Sequence, residues 1–172
     1  MNAHGRLTAE AAQAITAEMN KRGFDVYYDH GDPSNPFVGT IPVSTEEELT
    51  SKNQISQLDI AVVERDTYRA VALIEIEETT DTPKTLIGDI FTTLMGDSVH
   101  LPGRKNKAKV GNWTTLIMIG KDAGHEDRND RICNLANQAK SALGTGNSQV
   151  GNIVIAAFSE KKTLLNILLE EI

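Results

Sequence analysis

Two runs rich in valine and isoleucine, Leu58 to Glu64 and Ala70 to Glu77, flank the short polar segment Arg65 to Arg69 and constrain this chain more than any other feature. Apolar, β-branched runs of that length bounded by polar residues read as strands, and the short gap makes them a hairpin. Side chains alternate faces along a strand. Here both faces are largely apolar, so the hairpin belongs at the centre of a sheet covered on each side. Apart from Glu64 beside the turn, the exceptions are Asp59, Glu75 and Glu77, carboxylates in strands suited to burial.

Turn counting predicts how they meet. With Arg65 to Arg69 as the loop, Glu64 faces Ala70, Asp59 faces Glu75, and Gln57 faces Glu77. Val63, Val71, Ala61 and Leu73 then line one face near the turn, with the acidic residues and Gln57 at its far end. Directly opposed side chains have Cβ atoms about 5 Å apart. Two unit charges ~4 Å apart repel by about 4 kcal/mol at an effective dielectric near 20. A hard divalent cation offsets that repulsion, because Mg²⁺ takes carboxylate oxygens together with water and substrate phosphate. Asp59 and Glu75 are therefore candidate ligands for Mg²⁺, with Mn²⁺ as a substitute.

The remaining chain supplies the layers. Thr8 reads as an N-cap for a helix carrying Ala11, Ala12, Ile15 and Met19 and ending near Gly23. Phe24 to Tyr28 reads as a strand, and the proline-containing stretch Gly31 to Asn53 hides a short strand near Phe37 to Ile41 and a helical turn at Ser44 or Thr45. Thr82 and Pro83 open a second helix with Leu86, Ile87, Ile90, Phe91, Leu94 and Met95, closed by Gly96. Trp113 to Ile119 reads as a buried strand, Glu126 to Leu143 as a helix, Val150 to Phe158 as the last strand, and Ser159 as the cap of a final helix. That order predicts one α/β domain over residues 1–172, with helices on both faces of a central mixed sheet. The last helix, with its broad Leu/Ile face, either packs on its own core or supports a homodimer.

Charge and composition narrow the partners. A formal net charge of -7 argues against a protein that coats nucleic acid by sheer positive charge, but leaves room for a nuclease whose own carboxylates add to the count. Arg104, Lys105, Lys107 and Lys109 form a basic loop able to hold phosphates. No apolar run approaches the ~20 residues that span a bilayer, so no membrane role is expected. The absence of a signal-like N-terminus and the single Cys133 suggest a cytoplasmic setting. Cys133 reads as a buried thiol, His125-Glu126 as a helix start, and Gly144 to Asn147 as a turn with no phosphate-loop lysine behind it.

Asp59 on one strand and Glu75-Ile76-Glu77 on the next, within a helix, strand, hairpin, helix, strand order, resemble the PD-(D/E)XK nuclease superfamily. The resemblance implies a restriction-endonuclease-like three-layer α/β/α sandwich and metal-dependent hydrolysis of DNA phosphodiesters. Asp59 and Glu75 would hold Mg²⁺, and Glu77 would orient or deprotonate a water. Leu58 stands where the family has a proline, and Glu77 where it usually has a lysine; some restriction endonucleases carry Glu there. In other members the lysine has moved to the following helix, where Lys84 lies in this chain. A glutamate from the first helix often joins the metal, which makes Glu10 and Glu18 candidates, Glu18 lying nearer the strand. Two other readings compete: a degenerate member that binds nucleic acid or serves assembly, and an unrelated α/β protein using the cluster for a structural cation.

Overall fold

A computed structural model describes residues 5–77, 83–103, 107–121, 150–158 and 161–172, with Asp130, Asn134, Leu135, Asn137, Gln138 and Ser141 between them. Helix α1 (Arg6–Lys21) leads into β1 (Phe24–Tyr28), and β2 (Ile41–Ser44) and β3 (Gln54–Leu58) follow. The central hairpin is β4 (Ile60–Glu64) and β5 (Ala70–Glu77). Next come α2 (Pro83–Leu94), β6 (Ser98–His100), β7 (Lys107–Lys109), β8 (Thr115–Lys121), β9 (Asn152–Phe158) and α3 (Lys161–Glu171).

The strands form two sheets. The larger runs β1-β4-β5-β8-β9. It is mixed: β1, β4 and β5 are antiparallel, whereas β8 and β9 run parallel to β5. A parallel neighbour requires a crossover connection, and α2 lies on the path from β5 to β8. The smaller sheet, β3-β2-β6-β7, is antiparallel throughout.

Packing explains why the hairpin lacks polar alternation. One face of the large sheet presents Ala61, Val63, Leu73, Leu116 and Met118 to Ile41, Val43, Leu58 and Val99 of the small sheet and to Ile90 and Leu94 of α2. The other presents Ile60, Val62, Ala72, Ile74, Ile76, Ile117 and Ile119 to Ala11, Ala12, Ile15 and Met19 of α1 and to Leu164 and Leu168 of α3. With apolar layers on both sides, either face of β4 or β5 gains by carrying aliphatic side chains. Helix α3 thus buries its apolar stripe within its own chain.

Several expectations need correction. The layer expected to be purely helical on one face is α2 together with the small sheet. Helix α1 begins at Arg6 behind Gly5, whose left-handed φ of 84° suits a glycine, so Thr8 is an interior, buried residue and not the N-cap. The expected strand near Phe37 lies later, at Ile41–Ser44, and no helical turn opens at Ser44 or Thr45. Val38 makes only an isolated bridge to Tyr28. The run Leu58 to Glu64 is not one strand, because Asp59 forms a bend where the chain leaves the small sheet for the large one. Thr82, Cys133, His125, the Gly144 to Asn147 turn and Ser159 lie outside the described residues, as does most of the helix expected at Glu126 to Leu143; its described positions are helical.

Candidate metal centre

The acidic cluster is assembled by strand ends. In the large sheet Tyr28 pairs with Ile60 and Ile60 with Ile74, so one further step sets Asp29 beside Asp59 and Asp59 beside Glu75. The first of these is sealed by the backbone, since the Asp29 amide donates to the Asp59 carbonyl at 3.0 Å. Glu75 and Glu77 share the face of Leu73, whose side chain packs in the layer that contains α2. Helix α2 brings Asp89 to the same place, and Glu77 is one of the charges acting on it.

Electrostatics mark the spot. Burial pushes the Glu75 carboxyl well above the ordinary carboxylate range, and the charges of Asp59, Asp89 and Asp29 push it further; only the Asp59 backbone amide works against them. Its Oε1 is buried with no hydrogen-bond partner, a state that costs about 1–3 kcal/mol and more when the group is charged. Asp89 is also raised, by its partial burial first and by Glu77 second. Asp59 is fixed differently, its Oδ2 accepting the Ile76 amide at 2.7 Å.

One more side chain completes the cluster. His30, the residue after Asp29, places Nε2 3.3 Å from Asp29 Oδ2. Asp29, His30 and Asp59 each offer a ligand atom, and these atoms lie within 4.8 Å of one another. Ligands bonded at about 2.1 Å stand roughly 3 Å apart when adjacent and about 4.2 Å when opposed. Sub-ångström movement would therefore gather the three around one ion. Glu75 is not in that triad but adjoins it through Asp59.

The sequence candidates divide accordingly. Asp59 and Glu75 come together, and Glu77 lies two residues further along β5. Gln57 does not face Glu77: it is exposed on β3 and pairs with Pro42 in the small sheet, a consequence of the bend at Asp59. Glu18 is not brought to the cluster either. It is bound to Lys21 and Arg22 at 3.2 and 3.3 Å, one turn before Gly23, whose carbonyl holds Arg65 of the hairpin turn at the opposite end of the strands. Lys107 is tied to Glu47 at 2.7 Å. Lys109 pairs with Ser98 and bridges Arg69 at the start of β5, far along the strand from Glu75. Arg104, Lys105 and the Lys84 side chain lie outside the described residues.

Asp29, His30 and Asp89 went unread in the sequence. The available signal was Asp29-His30 following directly on a strand, which gains meaning only once β1 is known to lie against β4. No protein-family model, curated protein or solved structure matches the chain.

Proposed function

We propose that this protein is a divalent-metal-dependent nuclease of the restriction-endonuclease-like kind, hydrolysing phosphodiester bonds of DNA. The observation that carries the reading is Glu75: a half-buried carboxylate with one buried, partnerless oxygen, beside Asp59 at the end of the hairpin. Such a group is costly unless a cation completes it. The wider arrangement supports the same reading. A helix, three antiparallel strands, a crossover helix and a parallel fourth strand are what the superfamily resemblance implies, with Asp59 ahead of the second of those strands and Glu75-Ile76-Glu77 on the third.

In this reading Asp59 and Glu75 hold Mg²⁺, which when bound polarises a phosphate and acidifies a coordinated water. Asp59 is held in place by the Ile76 amide, so the ligand does not depend on a flexible rotamer. Glu77, beside Asp89, accepts the proton of the attacking water. Lys109, bridged to Arg69, lies about 20 Å from Glu75 along β5, so these two hold phosphates several nucleotides from the cut and leave its chemistry to the carboxylates.

The test is cleavage of supercoiled plasmid and of a single-stranded oligonucleotide in Mg²⁺ or Mn²⁺. The wild-type protein should cut at least one, and Asp59→Asn and Glu75→Gln should each lose about 100-fold or more, as removal of an essential electrostatic group does. Bound metal with intact DNA would instead favour a nuclease-fold binding module, the reading suggested by Glu77 in the lysine position.

A further inference from the structure

The geometry points to His30 and Asp29 as additional ligands, making the centre a mixed nitrogen and oxygen site that takes a first-row transition cation such as Mn²⁺ in preference to Mg²⁺. This inference rests on the metal-dependent reading above and deepens it by naming the class of ion.

Three observations converge. The ligand atoms of Asp29, His30 and Asp59 lie within 4.8 Å of one another, a separation that one ion can close. The buried, partnerless Oε1 of Glu75 adjoins them and is a second group there that a cation would satisfy, since Glu75 feels both Asp59 and Asp29. The His30 ring is also held. A Cβ at position 5 would overlap it, so the ring packs directly on the backbone of Gly5 at the start of α1. Glycine there permits the left-handed turn and leaves space for the imidazole.

Chemistry then decides between ions. Mg²⁺ prefers an all-oxygen shell and keeps its waters, whereas imidazole binds manganese, cobalt and zinc with rising strength along the first row. The carboxylates alone would accept either class. His30 breaks the tie, its Nε2 standing 3.3 Å from Asp29 Oδ2, a spacing close to that of two neighbouring ligands on one ion.

The experiment uses the full chain stripped of metal and titrated with Mn²⁺ alone. Electron spin-echo spectroscopy reads nitrogen coupling to the bound ion, and competition calorimetry reads the Mn²⁺ to Mg²⁺ affinity ratio. Wild type should show nitrogen coupling. His30→Ala, with its fold checked by circular dichroism, should lose it and should lower the ratio roughly tenfold or more. Mn²⁺ bound through Glu75 without nitrogen coupling in wild type, or an unchanged ratio in folded His30→Ala, would overturn the assignment of His30 while leaving the nuclease reading intact. Nitrogen-coupled Mn²⁺ with no cleavage of any DNA would support the ligand assignment and count against the nuclease. No Mn²⁺ binding at millimolar concentration would overturn both.

Discussion

Glu75 is the residue at which stability and function pull apart. A carboxyl whose pKa is higher in the folded than in the unfolded chain binds its proton more tightly when folded. Below the ordinary value of 4.5 both states are protonated and the group exacts no penalty. As pH rises from there through the raised folded pKa, the half-buried carboxyl must either keep a proton the solvent no longer supplies or ionise beside Asp59, Asp89 and Asp29, and stability is lost. Glu75→Gln keeps the shape and removes the charge. In EDTA the variant should therefore melt higher than wild type at pH 7.5, by on the order of 1–2 kcal/mol, or several degrees for a domain of this size. The difference should shrink as the pH falls towards 4.5. Scanning calorimetry at three pH values checks this, and a Glu75→Gln gain that is flat with pH would mean that the carboxylate is not under electrostatic strain.

At the scale of elements, the hairpin turn shows how the cluster's frame is held. Arg65 places Nε and Nη2 3.1 and 3.0 Å from Asp25 Oδ1, reaches Asn20 Oδ1 at 3.3 Å, and its amide donates to the Gly23 carbonyl at 3.0 Å. One side chain thus ties α1, β1 and the β4–β5 turn together. Asp25 is 6% exposed, so Arg65→Ala takes a charged hydrogen-bond partner from a buried carboxylate. The loss should be about 1.5–3 kcal/mol, towards the lower end because the Arg65 side chain is itself 46% exposed. Urea melts of Arg65→Ala, Asp25→Asn and the double variant measure it, and the double variant should recover part of the loss. The same hairpin was the readable part of the sequence, because aliphatic runs that ignore alternation mark a strand covered on both faces. Its register is as counted at Ile60↔Ile74, although Val63 and not Glu64 faces Ala70 and a bulge at Val62/Val63 restores the count. Counting failed beyond Asp59, where the bend sends Leu58 into the small sheet. That sheet was unreadable for a local reason: β6 and β7 have 3 residues each and β3 is Gln-Ile-Ser-Gln-Leu, too short or too polar for a period of two to register. Asp29 and His30 were hidden for a non-local one, since β1 and β4 are separated by the whole of the small sheet's first hairpin.

For the whole molecule, the cluster and the net charge of -7 make different demands on a bound cation. A diffuse negative surface attracts any divalent ion weakly, and salt screens it, with a Debye length near 10 Å at 0.1 M and about 3 Å at 1 M. Partly buried ligands around Glu75 are screened much less. Binding to the folded state alone adds RT ln(1 + [L]/Kd), about 2.7 kcal/mol at a hundredfold excess over Kd, which corresponds to a rise of roughly 5–11 °C in Tm for a chain of this length. Mn²⁺ should therefore raise the melting temperature saturably, and the rise should persist in 0.5 M KCl, about five times the reference ionic strength at which exposed charges are already largely screened. Glu75→Gln supplies the sharper check. It should melt above wild type without metal and below it in saturating Mn²⁺, because the substitution that relieves the charge also removes the ligand. Differential scanning fluorimetry reads that crossing directly. Parallel curves, with Glu75→Gln above wild type at every Mn²⁺ concentration, would show that the ion binds elsewhere on the acidic surface.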